Sequence, residues 1–489
     1  MERVLSGLQP ERYFYYFEEI SRIPRSSYEE QAVSNYIVEF AKAHGLEYSQ
    51  DADWNVIINK PATPGYEDHK GIILQGHLDM VCVSAEGVQH DFQKDPIDLY
   101  IDGDWVKARG TTLGADNGTA IAMMLMLLEA DDVEHPAIQC IFTTKEEIGL
   151  EGAAHLDPNK IQGDYLINLD GGTFTELLLS SAGTSNHLYH LNTERRTVAD
   201  AADKQAVKLA VSGLTGGHSG GLAHLCKPNA IKVLGDVLNE LEEVTAYDLL
   251  EIKGGLKMNA IAIDAAAVVA VPKSAVEAVT AFAAQMDHTL KVEALGVEEG
   301  ITLTAELTDM PETAFGENAK EKLLAFLDLL FDGTYRFMTP EKQMAKTSCN
   351  IGVLHEEDGV LTADCLMRSN SEYEHKQLRR KADRIAKLVG IEHEVKNPSA
   401  AWEYDPTSSL VKRLNEIYQE ELGYIPEVKM THGGMEPGVL TGLAASVGKK
   451  IEAMNMGVEC SGAHTIEEQM NIPSVAETWN WLKVLLRKL

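Results

Sequence analysis

Cysteine is sparse and unpaired in this chain of 489 residues. Cys82, Cys140, Cys226, Cys349, Cys365 and Cys460 stand singly with no CxxC spacing, so the sequence offers neither a disulfide framework nor a thiolate zinc site. A reducing cytoplasm is the expected compartment. Positive charge is also scarce: 43 Lys and Arg face 75 Asp and Glu, a formal charge of −32. Nucleic acid and anionic membrane both require basic surface to displace counterions, so neither is expected as a partner. No stretch approaches the roughly 18 consecutive apolar residues of a membrane span. The opening MERVLSGLQPERYFYYFEEI has no basic start followed by an apolar core, so neither export nor anchoring is expected.

What is present is ordinary for a globular chain, 44% hydrophobic and 24% charged, with length for two or three domains. Residues 9–45 alternate apolar and charged positions at helical spacing, broken at Ile23-Pro24 and restarted by Ser27-x-x-Glu30, a capping-box pattern. Strands are expected at 55–59, 71–74, within 138–149 ending at Glu146-Glu147, and at 164–169, and a buried helix within Thr112–Glu129, a run too long and too rich in Ala, Met and Leu for a strand. After Leu191 a polar interruption, NTERRTVADAAD, leads into a second set of strands and helices. The expected class is α/β: residues 1–190 and 397–489 form a discontinuous domain with a mixed sheet flanked by helices, and residues 191–396 form an inserted α+β domain. Near the C-terminus Thr465-x-x-Glu468 repeats the capping-box pattern, and Ser474 and Glu477 are expected to cap a final helix.

The apolar segments of the first domain end in polar residues. IILQGHLD ends at His77 and Asp79, the buried helix begins beside Asp116, IQCIFTTKEEIG ends at Glu146 and Glu147, and DYLINLDGG ends at Asp170. Neighbouring carboxylates repel unless a cation or a shared proton compensates them. Ligands of open α/β sheets gather at the carboxyl ends of strands, where groups distant in sequence converge. His464, just before the Thr465 turn, is placed to present a ring nitrogen. Two histidines and several carboxylates make an N/O ligand set suited to zinc, manganese or cobalt, with more acids than one ion needs. The expected arrangement has Asp116 bridging two ions, one also held by His77 and Asp170, the other by Glu147 and His464, with Asp79 orienting His77. Glu146, left over, is the expected general base, taking a proton from water and returning it to a leaving amine. The chemistry expected is metal-assisted hydrolysis of an amide or peptide bond.

The motifs HLD, GADNG, EEIG, NLDGG and SGAHT, in this order and spacing, resemble the co-catalytic metallopeptidase family that includes carboxypeptidase G and the carnosinases, over nearly the whole chain. GHLDMV, GGHSGG, KMNAI and LMRSN look most like its aminoacyl-histidine dipeptidase branch. The resemblance implies the same metal and base roles and identifies the insertion as a lid through which such enzymes pair as homodimers. It further implies that His218 stabilises the oxyanion, that Asn259 and Arg368 hold the terminal carboxylate of a small peptide substrate, and that Gly434 and Glu436 contact substrate. A deacylase or tripeptidase of the same family is the alternative within this class. Two other readings compete. Gly217-His218-Ser219-Gly220-Gly221 fits the G-x-S-x-G elbow of a serine hydrolase with Ser219 as nucleophile, and a non-catalytic metal- or peptide-binding protein would keep the ligands without the chemistry.

Overall fold

The structure, a computed structural model, describes residues 3–339 and 344–489. The chain divides into two compact units, residues 1–181, 402–430 and 435–489 in the first and residues 182–401 and 431–434 in the second.

The first unit is built on an eight-stranded mixed sheet. Its centre is parallel: Ile72–His77 lies between Ile138–Thr143 and Tyr165–Asn168, and Glu452–Asn455 pairs parallel with the latter. Every residue of the first three strands is buried, which is why they read as continuous apolar runs rather than alternating ones. Val56–Lys60 and Glu47–Gln50 extend the sheet antiparallel on one side. The helix Ala115–Glu129 is buried almost all round, as its Ala, Met and Leu content requires, and packs on the Ile72–His77 strand. Gly76 permits the contact, because a Cβ there would collide with Ala120 Cβ.

The second unit carries a nine-stranded sheet whose pairings are all antiparallel, with the helices Ala230–Val244, Val276–Glu293, Glu317–Leu329 and Glu372–Val389 and its own apolar core. The boundaries expected at 190/191 and 396/397 differ from the observed crossings. Gly183–Asn192 is one continuous strand bonded to Val360–Ser369, and Glu392–Lys396 pairs with it, so residues 182–190 and 397–401 go with the second sheet. Residues 431–434, expected in the first domain, also group with the second unit.

Three capping assignments need correction. The opening helices are Glu11–Ile20 and Gln31–Ala43, but Glu30 is the N-cap of the second and makes no capping bond. Ser27 Oγ instead donates to Asp79 Oδ2 (2.8 Å), and Glu30 Oε1 accepts from the Lys145 N–H (2.9 Å). The final helix, Ile472–Lys488, is capped by Asn471, whose side chain accepts from the Ser474 N–H at 3.0 Å, not by Ser474 and Glu477. Thr465 closes a turn on Gly462 O (2.7 Å), leaving Glu468 for a distant segment.

Candidate metal centre

The parallel strands of the first unit end side by side, and their ends deliver His77, Glu146, Glu147 and Asp170. Asp79, fully buried, organises the first three. Its Oδ1 accepts from the Glu146 N–H (3.0 Å) and its Oδ2 from the Glu147 N–H (3.2 Å) and Ser27 Oγ. His77 Nδ1 lies 3.1 Å from the Asp79 carbonyl and 3.4 Å from Oδ1, which commits the Nδ1 proton and turns Nε2 outward.

Asp116 stands at the helix entrance in a non-helical conformation (φ −82°, ψ 103°). Its two oxygens face two different imidazoles: Oδ1 is 3.0 Å from His77 Nε2 and Oδ2 is 3.2 Å from His464 Nε2. His464 Nε2 also lies 3.0 Å from Glu147 Oε2, whereas Glu147 Oε1 is buried without a hydrogen-bond partner. Ligand atoms of His77, Asp116 and Glu147 lie within 4.8 Å of one another. Asp170 joins this field through its charge. Burial, then Asp116, push its carboxyl up to about 8 against the pull of His77, with Glu436 and Glu147 adding to the rise.

Burial also raises Glu146 well above the usual carboxyl range, and Asp170, Glu147 and Glu436 add to the rise against the pull of His77. For His77 burial works against the charged ring, but hydrogen bonds to Asp116 and Asp79 outweigh it and lift its pKa well above the ordinary value. Hydrogen bonds to Asp116 and Glu147 take His464 up to about 10. Burial opposes ionisation of Asp116, yet the two histidines hold its pKa far below the usual range. So dense a set of carboxylates is compensated by cations or by shared protons, and two imidazoles, a carboxylate that faces both of them and an unpartnered carboxylate oxygen are donors suited to divalent ions. The residues fit the group.

Glu436 is 1% exposed, its Oε2 accepting from Gln75 Nε2 and its Oε1 buried without a partner. Burial pushes its carboxyl up to about 7. Gln75 in turn donates to Thr143 Oγ1 (3.0 Å) and accepts from Asn168 Nδ2 (2.5 Å), so Glu436, expected to contact substrate, is here buried against this side-chain network.

In the second unit, His218 lies opposite Ala260 in a two-strand pairing, and the Ser219 N–H donates to Asn259 O (2.9 Å). His218 Nδ1 accepts from the Gly221 N–H (2.9 Å), which in the neutral ring leaves the proton on Nε2, 3.5 Å from Arg368 Nη2. Arg368 is 6% exposed, burial lowers its pKa to about 10, and its Nε has no hydrogen-bond partner. His218, the Asn259 loop and Arg368 thus come together within one unit. Gly434 lies in the 431–434 segment, beside His432, whose ring is locked between Asn370 Oδ1 (2.9 Å) and Ser348 Oγ (2.8 Å). Burial and the charges of Arg368 and His218 hold His432 down to about 3. Among the described residues Ser219 Oγ is buried with no hydrogen-bond partner, so it lacks the hydrogen-bonded base that a serine nucleophile uses.

Sequence reasoning missed Arg25, Ser27, Glu30, Gln75, His432 and Glu468. The sequence carried little signal for them: Arg25 stands in the polar stretch SRIPRSS, and Glu468 completes a local Thr465-x-x-Glu468 pattern that reads as a cap.

The comparisons with known proteins agree with one another. The chain is 34% identical over 485 residues to cytosol non-specific dipeptidase of Escherichia coli, covering 99% of both chains. It superposes on a crystal structure of aminoacylhistidine dipeptidase from Vibrio alginolyticus with a TM-score of 0.86 and 31% identity, covering 99% of this chain and 97% of that one. An aminopeptidase from Bacillus cereus, at 16% identity and a TM-score of 0.55 over 98% of this chain and 99% of that one, shares the fold. The family pattern matched by residues 73–488 spans all the strand-end acids, Asp116 and both histidines that face it, and the chain belongs to Peptidase family M20/M25/M40.

Proposed function

We propose that the chain is a cytoplasmic dipeptidase that uses two divalent metal ions, zinc first among zinc, manganese and cobalt, to hydrolyse dipeptides including aminoacyl-histidine substrates. The observation that carries this reading is Asp116, whose two oxygens face His77 and His464 separately, so that it would serve two ligand sets at once. His77, Asp116 and Asp170 would hold one ion, and Asp116, Glu147 and His464 the other. Bound there, the ions would supply Lewis acidity, polarising the scissile carbonyl and lowering the pKa of water.

The chain's own groups do the rest. Glu146 is carried by a backbone that Asp79 pins at its N–H, and it is the acid of the cluster not committed as a ligand. It takes the proton of the attacking water and passes it to the departing amine. In the second unit His218 offers an Nε2–H to the oxyanion, its tautomer set by the Gly221 N–H. Arg368, with a buried guanidinium and an unused Nε, together with Asn259, would hold the substrate's terminal carboxylate. The homology to a dipeptidase and to an aminoacylhistidine dipeptidase supports the substrate class.

A homodimer through the second unit completes the proposal. Among the described residues Thr302–Thr308 pairs on one side only, with Lys204–Ser212, and Leu307 on this edge is 63% exposed, with Leu295 nearby in sequence 72% exposed. An open edge flanked by apolar side chains invites strand pairing with a second copy.

The test is hydrolysis of β-alanyl-histidine and a panel of other dipeptides, N-acyl amino acids and tripeptides, before and after EDTA, with zinc, manganese or cobalt added back and metal content determined. Turnover of His-terminated dipeptides that vanishes with chelation and returns with metal supports the proposal. Chelator-resistant turnover, or activity confined to N-acyl amino acids or tripeptides, would overturn it.

A further inference from the structure

Arg25 and Glu468 bring opposite charges into the interior of the first unit, where they are 2% and 3% exposed. The Glu468 carboxylate accepts three backbone N–H groups, Leu113 and Gly114 on Oε2 (both 2.8 Å) and Asp116 on Oε1 (3.0 Å). Arg25 approaches the same turn from its carbonyl side. Its Nη2 donates to Gly114 O, and its Nη1 donates to Leu78 O (3.0 Å) and Asp79 O (3.1 Å). Gly114 is therefore held by a carboxylate on its N–H and a guanidinium on its carbonyl. The turn that presents Asp116 is tied by Arg25 to the strand end that presents His77, and by Glu468 to the segment that presents His464.

The glycines of GADNG follow from this arrangement. A Cβ at Gly114 would lie 2.5 Å from Arg25 Nη2 and one at Gly118 would lie 2.9 Å from it, and Gly114 has φ +70° besides. Buried charges are a weak source of net stability because both must be desolvated, whereas charge-assisted hydrogen bonds from a rigid fork fix geometry well. A carboxylate that must offer one oxygen to each of two ions tolerates an error of only about 0.5 Å in its placement.

We propose that Arg25 and Glu468 are positioning residues that set the two Asp116 oxygens for two separate cations, so that their loss is read as lost metal affinity. The inference rests on the dinuclear reading above. Zinc, titrated without substrate into the metal-stripped full chain against a competing chelator, is the probe, applied to the wild type, Glu468→Gln and Arg25→Lys, with a thermal melt of each. Glu468→Gln keeps the side chain's shape but leaves one acceptor oxygen for three N–H groups, and Arg25→Lys keeps the charge but loses the fork. Both are expected to melt cooperatively and to bind zinc about 10- to 100-fold more weakly, with kcat restored toward wild type at saturating zinc and KM for a dipeptide unchanged. Wild-type zinc affinity with a lowered melting temperature would make the pair merely structural and overturn the proposal, as would failure of both variants to fold. A wild type that binds fewer than two zinc ions refutes the dinuclear reading instead, before any variant is compared.

Discussion

An acceptor that already serves two backbone N–H groups and a serine hydroxyl, with an imidazole beside it, has little left to give a metal; Asp79 is that residue. Burial opposes its ionisation, but the His77 ring, the Glu146 N–H and Ser27 keep its pKa below the usual value. Its task is to orient, and Asp79→Asn, which puts an amide NH2 where an acceptor is needed, is expected to lower kcat about 10- to 100-fold. Glu146→Gln differs in kind. It removes the proton carrier and is expected to lower kcat by about 10²- to 10⁴-fold, while metal content stays that of the wild type; a loss of bound metal in parallel with activity would instead make Glu146 a ligand. The pairing of His77 with Asp79 could be anticipated because Asp79 follows two residues after His77, just past one strand end. The work of Ser27 and Glu30 could not. S-x-x-E has the same local form whether it caps a helix or, as here, meets partners 52 and 115 residues away, and a local pattern carries no information about partners that distant.

At the scale of elements, the strands and the buried helix of the first unit were legible because burial on both faces leaves an unambiguous apolar run. Their close approach was not, since it depends on one missing side chain. Gly76→Ala would drive its Cβ into Ala120 and is expected to cost about 1–3 kcal/mol, with weaker metal binding because His77 is the next residue; a chemical melt with a zinc titration measures both. The second unit holds a different device. Ser185 Oγ sits between His187 Nε2 (2.9 Å) and His375 Nε2 (2.8 Å), and His187 Nδ1 is 2.8 Å from His393 Nε2, joining a strand, a helix and an edge strand. Burial, reinforced by nearby His393, His375 and Arg379, holds His187 down to about 3, and burial with Arg379 holds His375 down to about 4. The unfolded chain, with ordinary histidines near 6.5, therefore takes up more protons than the folded one as the pH falls from about 6.5 toward about 4. Stability conferred by the neutral network is present above that window and lost within it, at up to about 1.4 kcal/mol per pH unit for each histidine. Denaturant melts of the second unit's transition between pH 7 and pH 4 should show this slope, and His187→Gln should reduce it.

For the whole molecule, the surplus of acid has a local meaning that composition alone could not supply. A charge of −32 spread over the surface is solubility, but within one unit burial raises Glu146, Asp170 and Glu436, the charges of Glu147 and Glu436 raise both Glu146 and Asp170, and Asp116 raises Asp170 further. The division into two units was legible from the change in texture near residue 191, but the exact crossings were not, because a strand continues unbroken across the expected boundary and because residues 431–434 join the second unit through the packing of His432. This separation makes metal dependence of stability a directional prediction. Cations that bind only the folded first unit stabilise it by mass action, by about 2.7 kcal/mol when free metal is 100 times the dissociation constant. Stripping metal restores the repulsion among these carboxylates in the first unit and leaves the second unit's core untouched, since its buried histidines and apolar cluster include none of the proposed ligands. A calorimetric scan should then show two transitions, of which the one assigned to the first unit moves down on chelation and returns with zinc, while the other stays fixed. Equal shifts of both transitions would mean that the metal stabilises the chain as one cooperative body, and no shift in either would remove the cations from the account of why so many acids are tolerated together.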